Sequence, residues 1–184
     1  GTIAFWYKSV TSGTERRMLF DASPSSGGRF YLVRADANAS VDLSFAAQEG
    51  LGALWSAAKL NSMSDATWTH IAVTWNFALG LWATEQRLYV NGVLQDSSVN
   101  TSLWGALSTS IGSLYFGDQS SAGYTADSVN SANGTFDQIS IYNVELTSTE
   151  VAALAVAAPS CASLHHLAVT TPAASVVAGT ATTF

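Results

Sequence analysis

Charge is what this chain has least of: Asp, Glu, Lys and Arg make up 11% of its 184 residues, where about a quarter is usual. A surface so poor in ions has to be covered by Ser, Thr, Asn, Gln and Gly, a composition common in extracellular proteins. The charges present sum to −6, with the few Lys and Arg scattered, which argues against nucleic acid and anionic membranes as partners. Cys161 is the only cysteine, so no internal disulfide can form. Together with the secreted-looking surface, this favours a bacterial or archaeal exoprotein over a disulfide-dense animal one. No apolar run approaches the ~20 residues that span a bilayer. A signal peptide is also missing, but the chain starts inside a strand, so it reads as a piece of a longer protein whose targeting segment lies elsewhere.

What the chain does have is apolar content, 48% hydrophobic with six Trp and six Tyr, enough for the core of one all-β domain plus a remnant. Residues 68–94 place the rest. Trp68-Thr-His-Ile-Ala-Val-Thr-Trp75 alternates with period two, Thr69, Ile71, Val73 and Trp75 to one side and Trp68, His70, Ala72 and Thr74 to the other. Both faces carry apolar groups, so this is expected to be an inner strand of two packed sheets. Arg87-Leu-Tyr-Val-Asn-Gly-Val-Leu94 follows with a strand, an Asn91-Gly92 turn and a further strand; Asn-Gly supplies the two positive φ angles of a type I′ hairpin.

Further strands are expected at 2–8, 17–21, 29–34, 40–45, 113–117 and 136–142 from alternation and bounding turn residues. Residues 46–66 are weakly patterned, with one helical turn allowed over Trp55 to Leu60. Residues 97–108 and 118–135 read as loops, the second long enough to suggest a function. Thr147, Ser148 or Thr149 can cap a helix over Thr149–Ala157, with Glu150 in its first turn. Asn38, Asn100 and Asn133 stand in Asn-x-Ser/Thr sequons, which so Ser/Thr-rich a chain also produces by chance.

Trp68-x-His-Ile-Ala-Val-Thr-Trp75, a loop, then Arg87-Leu-Tyr-Val-Asn-Gly92 resembles the signature of laminin-G-like, concanavalin A-like jelly-roll domains. Gly1-Thr-Ile-Ala-Phe-Trp-Tyr7 resembles an early strand of that family. Phe136-Asp-Gln-Ile-Ser-Ile-Tyr-Asn-Val-Glu-Leu146 resembles its closing strand, with the short helix after it. The resemblance implies a two-sheet antiparallel β-sandwich over residues 1–158. It says less about function, because the fold hosts lectins, glycosidases, adhesion modules and spacers. Residues 159–184 read as a linker followed by alternating residues with Ala178-Gly179 at a bend. They resemble the truncated start of a bacterial immunoglobulin-like repeat. The family usually has a strand ahead of the one at 2–8, lying near the closing strand. Either its place is filled by the tail 165–184 or by a segment of a neighbouring molecule, because an open edge invites pairing, or the edge is simply left open.

Catalysis does not find its residues. Glycosidases need two carboxylates about 5–9 Å apart, which jelly-roll glucanases carry on one strand as Glu-x-Asp-x-x-Glu; here Asp42, Asp137 and Glu145 are isolated in sequence. His70 reads as a structural histidine, and Ser64-Asp-Ala-Thr-Trp68 echoes a sialidase Asp-box without its glycine. No Gly-x-Ser-x-Gly, phosphate loop or zinc-type cluster occurs. The chain therefore reads as a non-enzyme. Calcium, which takes six to eight oxygens, is implied by the resemblance at the sandwich rim, with Asp137 first and Asp118 second, among the oxygens of the 118–137 loop. Sugar faces stack on aromatic rings. Trp6, Trp68 and Trp75 read as core, whereas Trp82, Trp104, Trp55 and Tyr124 fall in expected loops and are the candidate ligand-binding residues. The expectation is a secreted or cell-surface binding or adhesion module for a glycan or extracellular protein. The rival is a spacer or self-associating filament subunit joined by strand complementation.

Overall fold

Alternating apolar residues become two packed sheets because each strand then buries one side chain in two against the facing sheet while neighbouring strands satisfy its backbone. The structure, a computed structural model, describes residues 1–10, 16–23, 29–36, 41–48, 57–60, 62–76, 84–100, 113–118, 130–156, 168–171 and 174–176. Its strands are β1 (Thr2–Ser9), β2 (Arg17–Asp21), β3 (Arg29–Asp36), β4 (Val41–Gln48), β5 (Ala57–Leu60), β6 (Thr69–Asn76), β7 (Thr84–Val90) and β8 (Val93–Asn100). They continue as β9 (Tyr115–Phe116), β10 (Asn130–Ser131) and β11 (Gly134–Tyr142), then α1 (Ser148–Leu154), β12 (Ala168–Thr171) and β13 (Ala174–Val176). One sheet has the order β13-β12-β11-β1-β6-β7-β8 and the other β10-β2-β3-β4-β5, with β9 beside β2. The fold is the two-sheet jelly-roll sandwich that the sequence leads one to expect.

The core lies between the sheets. Ile3, Phe5, Ile71, Val73 and Leu88 from one sheet meet Leu19, Phe20, Phe30, Leu32, Leu43 and Phe45 from the other. Their rings pack edge-on: Phe30 and Phe45 are 5.7 Å apart at 90°, and Phe30 and Trp75 4.8 Å at 80°. Phe136 and Ile139 both pack against this core although they are three residues apart. A register shift between Ala4 and Trp6 makes that possible, inserting an extra residue in β11, where Gln138 takes a φ of 49°. On the outer side of the larger sheet, Ala4, Ala72 and Tyr89 are covered by Leu146 and Val151 at α1. Thr2 ties the connection down: its hydroxyl donates to Val144 O and accepts from Leu146 N, each at 2.9 Å.

Five expectations are corrected. Residues 57–60 are a strand rather than a helical turn, because Ala58 and Leu60 face the core and β4 supplies the backbone partners. β8 runs on to Asn100, so residues 97–100 of the expected loop are strand. The strand expected at 113–117 is only Tyr115–Phe116, and the loop expected over 118–135 ends early, at β10, which pairs in parallel with β2. The helix is Ser148–Leu154, capped by Thr147. Thr147 exchanges bonds with Glu150 in a capping box, so the helix starts one residue ahead of the expected Thr149.

The tail lies on the larger sheet. Ser140, Ile141 and Tyr142 of β11 pair in parallel with Ala168, Val169 and Thr170, and β13 turns back on β12. Thr171 pairs with Ala174 and Val169 with Val176; the expected bend at Ala178-Gly179 lies outside the described residues. The edge of the closing strand is thus covered by the chain's own tail.

Candidate functional site

One end of the sandwich is formed where β1 ends at Ser9, β3 ends, β4 begins, β6 begins and the β7–β8 turn lies. The segment 62–68 crosses it without joining either sheet, and it is anchored from several sides. Met63 enters the core, 8% exposed, while its N–H donates to Asp42 Oδ2 at 2.6 Å. Asp65 Oδ1 accepts from Ser9 Oγ at 2.9 Å and is ion-paired with the buried Arg34. Tyr7, beside Arg34, donates its hydroxyl to Asn133 O at 3.1 Å. Burial raises the Tyr7 phenol pKa, with the Arg34 charge opposing, so the group stays a neutral donor. Ala66 takes a φ of 55°, a left-handed conformation that a side chain with a Cβ rarely adopts.

Opposite this segment stands the Asn91-Gly92 turn, with φ of 50° and 77°. Asn91 Oδ1 accepts from His70 N at 3.0 Å, and Asn91 N donates to His70 O at 2.8 Å. Between the two lies a depression of about 390 Å³. It is lined by Ser62, Ser64, Thr67, Trp68, Thr69 and Asn91, with Met63 and Val90 at its apolar base. Trp68 was expected in the core. It instead precedes β6, is only half-buried and belongs to none of the three buried clusters, since the strand begins at Thr69. A reading by alternation alone misses this, because a strand end and a strand interior share the same period.

Trp6, expected in the core, and His70, expected as a structural histidine, are buried as the sequence suggests. Both are buried, 5% and 2% exposed, on the outer face of the larger sheet, with ring centroids 5.3 Å apart at 68°. His70 is held neutral by burial, its pKa lowered to about 4. Trp75 does pack against the core, as expected.

The candidate ligand-binding residues Trp82, Trp104, Trp55 and Tyr124 all lie outside the described residues. Of the candidate calcium ligands, Asp137 is half-buried on β11 opposite Trp6, and its Oδ1 accepts from Gln138 N at 2.7 Å. Asp118 is exposed, and its Oδ1 accepts from Ser131 Oγ at 3.2 Å. Among the described residues no group of three or more His, Cys, Asp or Glu side chains gathers that could hold a metal ion. Glu85 and Glu145 do approach one another, contrary to the isolation of Glu145 in sequence, but Arg87 lies between and is ion-paired to both. A guanidinium shared in this way ties β7 to the segment after β11 and engages both carboxylates in ion pairs.

Residues 1–152 match the family model Laminin_G_3, described as the concanavalin A-like lectin/glucanases superfamily. Sushi, von Willebrand factor type A, EGF and pentraxin domain-containing protein 1 of Rattus norvegicus is 31% identical over 99 residues, 53% of this chain and 3% of the relative. The chain therefore spans a small fraction of that protein. The CBM40 of the Ruminococcus gnavus IT-sialidase, solved bound to alpha2,3 sialyllactose, has a TM-score of 0.61 at 15% identity, covering 84% of this chain and 82% of its own. Domain 4 of AbnA, a GH43 extracellular arabinanase from Geobacillus stearothermophilus in complex with arabinotriose, has a TM-score of 0.47 at 16% identity, covering 84% of this chain and 65% of its own.

Proposed function

The chain belongs to the concanavalin A-like lectin/glucanases superfamily, and on that premise we propose that it is a non-catalytic extracellular module that binds carbohydrate at its sandwich rim. The observation that carries the reading is the rim depression itself, where a half-buried tryptophan stands among hydroxyl and amide side chains. Sugars are bound by such pairings, with the C–H face of the ring on an aromatic and the hydroxyls on short polar groups. The Arg87-bridged Glu85 and Glu145 support the non-catalytic half, since neither is placed to donate or abstract a proton. That a module of the same fold was solved with sialyllactose makes carbohydrate the first ligand class to test.

Trp82, Trp104, Trp55 and Tyr124 are proposed to extend the binding surface from the rim loops. A secreted or cell-surface multidomain parent is proposed as the setting. Among the described residues no helix is long and apolar enough to cross a membrane. Calcium enters as a second arm of the experiment, through Asp137 and Asp118. On a glycan array run in calcium and again in EDTA, the protein is expected to bind a related set of sugars. Silence under both conditions would overturn the reading. A signal lost in EDTA and in Asp137→Ala would bring calcium into it, and one that persists would remove it.

A second reading, a self-associating structural subunit, is favoured by one observation: Ala168–Thr171 adds as a strand to the edge of β11. A segment that completes its own sheet can complete a neighbour's in the same register. Light scattering over a concentration series tests it, with concentration-dependent oligomers expected and a constant monomer mass counting against it.

A further inference from the structure

The walls of the rim depression are tied to the rest of the fold at several points. Its near wall is anchored by Met63, by Asp42 on the backbone and by Asp65, which Ser9 and Arg34 hold together. Its far wall is locked by Asn91 on both polar atoms of the His70 backbone. The left-handed Ala66 sits between these anchors, and strain of this kind persists where the surroundings over-determine it, commonly at ligand sites. With those groups engaged in holding the walls, the cavity is left with the hydroxyls of Ser62, Ser64 and Thr67, the Trp68 ring and the Asn91 side-chain NH2. Donors and acceptors held in place before a ligand arrives bind it without the cost of ordering them.

We infer that this depression binds a neutral saccharide, with one pyranose face on the Trp68 ring and its hydroxyls on Ser62, Ser64, Thr67 and Asn91. The inference rests on the carbohydrate-binding reading and deepens it in two respects. The first is charge. None of the lining residues is ionisable, and the nearby Arg34 guanidinium is already paired with Asp65. A sialic or uronic acid would therefore bring its carboxylate to a site with no cation, on a protein whose net charge is −6. The second is size. A volume of about 390 Å³ lies at the small end of ligand clefts, ~300–1,000 Å³, and suits one or two sugar rings at a chain end.

The test is an array of neutral and acidic glycans probed with the wild type and with Trp68→Ala, Trp68→Tyr and Asn91→Asp, each checked by thermal melting. Trp68→Ala is expected to weaken binding on the order of tenfold, the scale of a lost aromatic contact. Trp68→Tyr, which keeps a stacking ring, is expected to restore most of it. Asn91→Asp keeps the oxygen that accepts from His70 and removes the amide donors. It is expected to lose binding while still melting cooperatively, which provides a second readout if Trp68→Ala does not fold. Glycans that bind the wild type and all three variants equally would overturn this site and leave the carbohydrate reading standing. A preference for acidic glycans would overturn the ligand class. Silence of the wild type across the whole array would fail the carbohydrate reading itself, and this site with it.

Discussion

His70 is 2% exposed, its ring lies edge-on to Trp6, and its Nδ1 has no hydrogen-bond partner among the described residues. Burial lowers its pKa from 6.5 to about 4, so the folded state holds the ring neutral while the unfolded chain protonates it in that interval. The unfolded state then binds more protons, and stability rises with pH: it is fully present above about 6.5 and is lost as pH falls toward 4. The size of the effect is about 3 kcal/mol. Urea unfolding at pH 7 and pH 4.5 is expected to show a loss of this order, and its abolition in His70→Phe would assign the loss to this ring. A wild-type profile flat across the window would mean that the imidazole ionises without cost. Sequence alternation places His70 on the outer face correctly. It does not reveal that this face is buried there, because burial of an outer face depends on what is laid over it.

At the scale of elements, the Asn91-Gly92 hairpin and α1 stabilise each other. The positive φ of Gly92, 77°, is what a type I′ turn needs, and this much follows from the dipeptide alone. The contact with the helix does not: a Cβ at Gly92 would meet the Ala152 Cα at 2.9 Å. Gly92→Ala is therefore expected to cost about 2 kcal/mol, the left-handed penalty plus displacement of the helix. Chemical denaturation measures it, and a loss under about 0.5 kcal/mol, within the range of an ordinary surface change, would show that α1 does not hold the turn. The start of α1 shows the same division. Thr147, Ser148 and Thr149 are equivalent candidates by residue type. Leu146 and Val151, buried against Ala4, Ala72 and Tyr89, set the helix phase that makes Thr147 the cap. β5 was obscure for a related reason, since Ala57-Ala58-Lys59-Leu60 carries little strand propensity and becomes a strand through its pairing with β4.

At the scale of the whole molecule, β1 pairs with β6 on one side and β11 on the other, bringing together residues far apart in sequence. The sheet ends on this side with β12 and β13 added beyond β11. Deleting residues 157–184 is expected to leave the fold intact, because the core lies in β1 to β11, but to uncover a strand edge. Uncovered edges pair with other chains, so the shortened protein is expected to form dimers or larger species at concentrations where the full chain is monodisperse. Light scattering of the two side by side decides it, and equal masses would show that the tail does not protect the edge.

Period-two alternation and the Asn-Gly turn determined the sandwich, its central hairpin and the residues facing the core, because strand geometry and turn chemistry are local properties read from neighbours in sequence. The scarcity of charge and the absence of a catalytic carboxylate run were equally plain. Only the tertiary structure decided that Trp68 stands at the rim rather than in the core, that Arg87 joins Glu85 and Glu145, and that Ser9, Arg34, Asp42 and Asp65 brace one depression. These groups come from different strands and from the segments between them. Their approach depends on how two sheets stack and where each strand stops, and no single stretch of sequence carries that information.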